Sequence, residues 1–173
     1  MTAPRPITQE PPYPFADFQR RARAGHEQEL RVARLLRHWG YDVPDWDLVF
    51  RDEADTHLID EYRRTQKDLI VAGRYLEVKS RTLRFTTRDS YPYPTVMLET
   101  VSGWQAKERK PDVYVLCSQP AGGILAVDAR DMSRFTREKR VDRSRGLEDE
   151  WYFAPKELLR PHTWLEGFLA ASN

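Results

Sequence analysis

Polar and apolar residues change their period several times along this chain, and each change marks an element. Between Ala16 and Trp39 the apolar positions Leu30, Ala33, Leu36 and Trp39 recur three apart. That spacing is helical, and Gly40 is a stop signal just past it. A helix over Ala16–Trp39 is therefore expected. Gly25 interrupts it at a cost of about 1 kcal/mol, and one use for a glycine there is the close approach of another group. Further on, Asp47–Phe50 is a short candidate strand, and the polar run from Arg51 to Gln66 has no period. Asp68–Val71 and Arg74–Arg81 flank Ala72-Gly73 and predict a hairpin. Thr95–Glu99 predicts another strand, and Ser102–Lys110 a short helix that Pro111 ends. The apolar runs Val113–Ser118 and Ile124–Asp128 are joined by Gln-Pro-Ala-Gly-Gly, a hairpin or tight connection. Ala129–Glu150 is polar and rich in both charges. Helical segments interrupted at Pro161 close the chain.

The N-terminal stretch Met1–Phe15 holds five of the twelve prolines and reads as an extended arm. Residues 16–173 then form one domain, of a size that buries a substantial core. The expected class is α/β (α+β), a central mixed sheet flanked by helices in the order α-β-β-β-α-β.

Composition narrows the function classes. The formal net charge is +1, so contact with nucleic acid must come from local basic clusters. The single cysteine, Cys117, excludes an internal disulfide and a multi-cysteine zinc site, and its apolar surroundings suit a small buried residue. The first residues carry no apolar leader, and no run is long enough to span a membrane; a cytoplasmic protein is expected. No glycine-rich phosphate loop is present, which argues against ATP hydrolysis.

The hairpin carries the chemistry. With Ala72-Gly73 as a two-residue turn, Leu69 faces Leu76 and Asp68 falls opposite Glu77. Side chains opposite each other have Cβ atoms about 5 Å apart. Two carboxylates so close repel, and a cation between them removes the conflict. Carboxylate oxygens completed by water suit Mg²⁺ or Mn²⁺. Tyr75, Glu77 and Lys79 share one strand face, so Lys79 reaches the same place. A lysine beside a metal-activated water orients it, helps deprotonate it or stabilises charge on a phosphate. The same letters also suit a hairpin whose charges line a solvated face.

The helix changes that balance. Gly25–Tyr41 (GHEQELRVARLLRHWGY), followed by Lys67–Gly73 (KDLIVAG) and Arg74–Arg81 (RYLEVKSR), resembles the PD-(D/E)XK nuclease superfamily, and its first helix that of archaeal Holliday junction resolvases and some restriction enzymes. The resemblance spans roughly Gly25 to Asp128. It implies a restriction endonuclease-like core in which Glu29 is the helix glutamate, Asp68 the motif aspartate, and Glu77 and Lys79 the E-x-K pair. It implies metal coordination by Asp68, Glu77 and the peptide carbonyl of Val78, with Mg²⁺ or Mn²⁺ as cofactor. Lys67 stands where the motif often has proline. Positions 22, 26, 29, 33 and 36 form one helix stripe, which puts Glu29 at the edge of an inward face and Glu27 on another side.

The activity so implied is metal-dependent hydrolysis of DNA phosphodiester bonds, by an endonuclease. The alternatives are a resolvase of branched DNA, which would work as a symmetric homodimer, and a non-catalytic nucleic-acid-binding module of the same fold. DNA is the expected partner, with RNA left open, and no membrane partner is expected. Arg20, Arg21 and Arg23, and later Arg130, Arg134, Arg137, Lys139, Arg140, Arg143 and Arg145, are candidate phosphate contacts or a solvated loop. Thr82–Pro94 is placed to touch substrate, with Tyr91 and Tyr93 as stacking or packing residues. Gln105 and Lys107 are candidate auxiliary residues. His26, His38, His57 and His162 show no metal-ligand spacing.

Overall fold

The helical period is realised as α1, Phe15–His38. Val32, Ala33 and Leu36 on its inward face are fully buried. Gly40 follows with φ +88°, the left-handed conformation that ends many helices. No described residue comes within 4 Å of a Cβ built on Gly25, so close approach does not explain that glycine.

In this computed structural model the residues described are 15–43, 68–142 and 147–172. The arm up to residue 14, the strand expected over Asp47–Phe50, the run Arg51–Gln66, His57, Arg143 and Arg145 lie outside them. The strands are β1 (Leu69–Val71), β2 (Arg74–Arg81), β3 (Thr95–Thr100), β4 (Val113–Ser118), β5 (Ile124–Asp128), β6 (Thr136–Asp142), β7 (Leu147–Pro155) and β8 (Arg160–Pro161). Two further α-helices are α2 (Val101–Ala106) and α3 (His162–Ala170).

The protein is mixed α/β. A five-stranded sheet runs β1-β2-β4-β5-β8, with β2 and β4 parallel and the other neighbours antiparallel. The hairpin register is the expected one: Leu69 faces Leu76, Ile70 faces Tyr75 and Val71 faces Arg74. Ala72 and Gly73 both have positive φ, +46° and +70°, as the tight two-residue turn of a twisted hairpin requires.

Alternation sends the sheet's side chains to two different layers. Leu76, Val78, Val113, Val115 and Ala126 pack against α1 and α3. Tyr114, Leu116, Leu125 and Val127 pack the other way, against Val96, Leu98 and Ala154. Those three belong to a second sheet of order β3-β7-β6.

The expectation of one central sheet between helices is thus corrected. Helices cover one face, and a second sheet covers much of the other. Among the described residues the elements run α1-β1-β2-β3-α2-β4, in the expected order, but β3 leaves the central sheet to pair with β7. The polar segment Ala129–Glu150, to which the sequence pattern assigns no element, supplies a 3₁₀ turn, Ala129–Arg134, and most of the β6–β7 ribbon. The short helix stops at Ala106 rather than reaching Lys110. Thr100 caps its start by accepting from Gly103 N at 3.0 Å. The Lys110 ammonium donates to the carbonyls of Trp104, Gln105 and Lys107 at its end. No helix among the described residues is long and apolar enough to cross a membrane.

Two backbone constraints are open to direct test. Ala72 occupies a left-handed conformation that costs a residue with a Cβ about 1 kcal/mol. Ala72→Gly should therefore stabilise the protein by up to about 1 kcal/mol in urea unfolding. At Gly123 a Cβ would collide with the Phe85 carbonyl oxygen and stand 2.7 Å from Thr86 Cα. Gly123→Ala should destabilise by at least about 2 kcal/mol in the same measurement.

Candidate active site

The β1–β2 ladder closes with Leu69 opposite Leu76, and Asp68 stands one residue before it. Its carboxylate caps the neighbouring strand: Val78 N–H donates to Asp68 Oδ2 at 2.6 Å. Along β2, alternation turns Tyr75, Glu77 and Lys79 toward the second sheet. Glu77 is buried there, 6% exposed.

A carboxylate buried between two sheets must find its counter-charges within the fold. The Lys79 Nζ lies 2.6 Å from Glu77 Oε1, and the Lys107 Nζ lies 3.3 Å from the same oxygen. The Tyr75 hydroxyl donates to Glu77 Oε2 in a short contact. Lys107 also reaches Glu99 Oε1 at 2.6 Å, and the Tyr114 hydroxyl donates to Glu99 Oε2 at 2.9 Å. Glu77 and Glu99 thus share one lysine.

Glu29 comes from α1. It is largely buried, while Glu27 is exposed, as the helix stripe implies. Among the described residues His26 is an ionisable neighbour, with Nδ1 3.8 Å from Glu29 Oε2. Burial, and then the Glu77 charge, push its pKa up to about 7. Burial also raises the Asp68 carboxyl well above the usual carboxylate range, with Glu77 and Glu29 repelling its charge. Glu77 goes the other way. Burial opposes its charge, but the Lys79 and Lys107 ammonium groups outweigh that and hold its pKa below the ordinary value. Burial raises the Tyr75 and Tyr114 hydroxyls, helped by Glu77 and Glu99 respectively, so both remain proton donors.

Among the described residues, four carboxyl groups (Glu29, Asp68, Glu77 and Glu99) meet two ammonium groups, Lys79 and Lys107. The ammonium groups hold Glu77 and Glu99, while burial and the Glu77 charge make Asp68 and Glu29 hold their protons more tightly. A divalent cation would favour their charged forms. Among the described residues no three His, Cys, Asp or Glu side chains converge as a ready-made metal cage. Mg²⁺ does not need one, because it keeps several waters and takes one or two carboxylates. The all-oxygen donors, with more carboxyl than ammonium groups among the described residues, fit such an ion.

No protein-family model, no curated protein and no solved structure matches this chain.

Glu29, Asp68, Glu77 and Lys79 are gathered in one place by the fold, and Lys107 joins them. Gln105 is exposed on α2 and does not. Glu99 and Tyr114 escape a reading of the sequence. Alternation from Val96 and Leu98 would turn Glu99 outward, but a bulge between Met97 and Glu99 shifts the register and buries both Leu98 and Glu99. Tyr114 hides in an apolar run. Cys117 is buried, its thiol pushed up to about 12 by that burial. Much of the late basic cluster is internally partnered: Arg130 with Asp128, Arg134 with Glu157, Arg140 with Glu138. His162 stacks on Trp39 at 6.3 Å, away from the carboxylates.

A carboxyl whose pKa is higher in the folded state than in the unfolded one binds its proton more tightly when folded. The stability this gives is complete below the unfolded value and is lost as pH rises through the folded value. For Glu29 that window runs from 4.5 to about 7. The metal-free protein should lose stability across it, and Glu29→Gln should flatten the loss in thermal melts with EDTA. By the same sign Asp68→Asn should raise the melting temperature of the metal-free protein above neutral pH, since the amide oxygen still accepts from Val78 N–H. Lys107→Met should do the opposite. It strips Glu99 of its ammonium partner and Glu77 of one of two, and should cost on the order of 3 kcal/mol in denaturant unfolding.

Proposed function

We propose that this chain is a divalent-metal-dependent deoxyribonuclease, an endonuclease of PD-(D/E)XK type with a restriction endonuclease-like core. The observation that carries the reading is the gathering of two carboxyls with raised pKa, Asp68 and Glu29, beside the Lys79–Glu77 ion pair, where carboxyl groups outnumber ammonium groups among the described residues. A purely structural polar cluster would be expected to close its own charge balance.

Asp68 and Glu77 would hold Mg²⁺ or Mn²⁺, with the Val78 carbonyl as a further oxygen and Glu29 on the outer side. When bound, the ion polarises a phosphate oxygen and makes water easier to deprotonate. The chain's own residues do the rest. Tyr75 and Lys107 fix the Glu77 carboxylate by engaging an oxygen each, so it meets a ligand without reorganising. Lys79, 21% exposed at its side chain, holds its ammonium against Glu77 Oε1. There it positions the attacking water or offsets charge gathering on the phosphate. Glu29, with its pKa near 7, exchanges a proton at working pH.

A second reading has one observation in its favour. The Lys79 ammonium is already engaged by Glu77 at 2.6 Å, as in a non-catalytic nucleic-acid-binding module that keeps the fold. A resolvase of branched DNA is the other alternative within the enzyme class. One assay separates all three: Mg²⁺ or Mn²⁺ with supercoiled plasmid, linear duplex, single-stranded DNA, a four-way junction and RNA, beside an EDTA control. Metal-dependent cleavage should fall roughly a thousandfold in Lys79→Ala and in Asp68→Asn, with folding intact by circular dichroism. Junction preference together with a two-fold dimer would select the resolvase. No cutting of any substrate, with no metal binding by calorimetry, would sink the nuclease reading.

A further inference from the structure

Arg81 is two residues beyond Lys79 on β2 and on the same strand face. Its guanidinium is partly buried between the layers. It donates to Met97 O at 2.7 Å and to Ser80 O at 3.2 Å. Both partners are carbonyls. Among the described residues the ionisable groups that act on its charge are Tyr91 and Cys117, and neither is a carboxylate. Burial holds its pKa below the ordinary value, yet a guanidinium stays charged in a protein. The two arginines that line the cleft beside Trp164 and Phe168 differ: Arg74 has Asp112, and Arg130 has Asp128. A charge placed between two sheets with no carboxylate beside it among the described residues suits an anion from outside. The guanidinium also has N–H donors that two carbonyls do not use up, and their fork suits phosphate oxygens.

The neighbouring loop points the same way. The Tyr91 ring, beside Arg81, is buried and meets the Tyr93 ring edge-on at 6.5 Å. Tyr93 is 54% exposed. It is held there by a stiff backbone, with Pro92 and Pro94 on either side. Lys156 Nζ donates to Tyr91 O at 2.7 Å and to Asp89 O at 3.1 Å, and Lys156 N–H donates to Pro94 O at 2.9 Å. Ser90 Oγ accepts from both Thr86 N and Thr87 N at 3.0 Å. An aromatic ring held out in water by a fixed loop loses little entropy when something stacks on it.

We propose that Arg81 and Tyr93 form a strand-holding subsite beside the catalytic carboxylates, Arg81 taking a backbone phosphate and Tyr93 stacking on an unpaired base. Lys79 and Arg81 are spaced along β2 by about 6.6 Å, close to the separation of adjacent phosphates on one strand. A base inside an intact duplex is already stacked on both sides and offers no free face to Tyr93. The preferred substrate class is therefore DNA with unpaired bases next to the cut: a single strand, a flap or a junction arm. This rests on the nuclease reading only for what happens at the carboxylates.

The test is equilibrium binding of a labelled single strand and of the matching duplex across a salt series. Lys79→Ala protein in Mg²⁺ is used, so that neither DNA is cut. The single strand should bind more tightly. Arg81→Gln should reduce the slope of log affinity against log salt by about 0.7 on the single strand, and Arg81→Lys should restore it. Tyr93→Ala should weaken single-strand binding roughly tenfold and leave duplex binding unchanged. An unchanged slope in Arg81→Gln with a lowered melting temperature would reduce Arg81 to a tie onto the Met97 carbonyl and overturn the proposal. Equal losses on both DNAs in Tyr93→Ala would overturn the stacking half. If wild type cuts nothing but the slopes shift as stated, the subsite stands and the nuclease reading falls; if wild type cuts and the slopes do not move, the reverse holds. Binding of neither DNA overturns both.

Discussion

Glu77 is the constraint around which the two layers are arranged. A carboxylate so deeply buried is tolerable only if ammonium groups reach it, and the two that do come from different places. Lys79 is its neighbour on the same strand face, whereas Lys107 arrives from beyond α2, at the rim of the second sheet. Because Lys107 also holds Glu99 on β3, one ammonium group ties the central sheet to the second layer. Tyr75 and Tyr114 complete the network from the central sheet, each donating to one of the two glutamates. Every polar atom so engaged restricts where β3 and α2 can sit, which makes the contact specific in a way that Leu98 against Leu116 is not.

The same network leaves Asp68 and Glu29 out. Both feel the Glu77 charge, and at Asp68 the Lys79 ammonium offsets only part of the cost. Glu77 is satisfied and the other two are not, so the strain gathers on one side of it, where Asp68 is partly exposed and the Lys79 ammonium looks outward. Carboxyls whose charged forms are disfavoured, set beside a carboxylate that is carefully paired, cost the fold stability at one spot.

Much of the hairpin was legible in the letters alone. Ala72-Gly73 admits one tight turn, and a two-residue turn dictates the pairing of every residue beyond it, so the register of Leu69 with Leu76 followed without coordinates. Glu29 was legible too, because a helix of fixed pitch puts it on the stripe of Ala33 and Leu36. The helix end at Ala106 was not. Pro111 was the visible stop, whereas the actual end depends on the Lys110 ammonium gathering carbonyls that precede it.

What the sequence by itself determined is local: the long amphipathic helix, the hairpin with its D…E-x-K residues, the apolar β4–β5 pair and the buried state of Cys117. Each follows from a period or a turn read over a few residues. Tertiary structure decided what depends on distant partners. The polar stretch after Asp128 became β6 and β7 because β3 needed an antiparallel neighbour, and alternation masked by charges does not announce a strand. A bulge in β3, invisible in Thr95–Glu99, turned Glu99 inward and so created the acceptor that fixes Lys107. Charge balance at the site is of the same kind. It is a sum over side chains from α1, the residue before β1, β2, β3 and the residue after α2, and only their meeting in space shows that carboxyl groups outnumber ammonium groups among the described residues there.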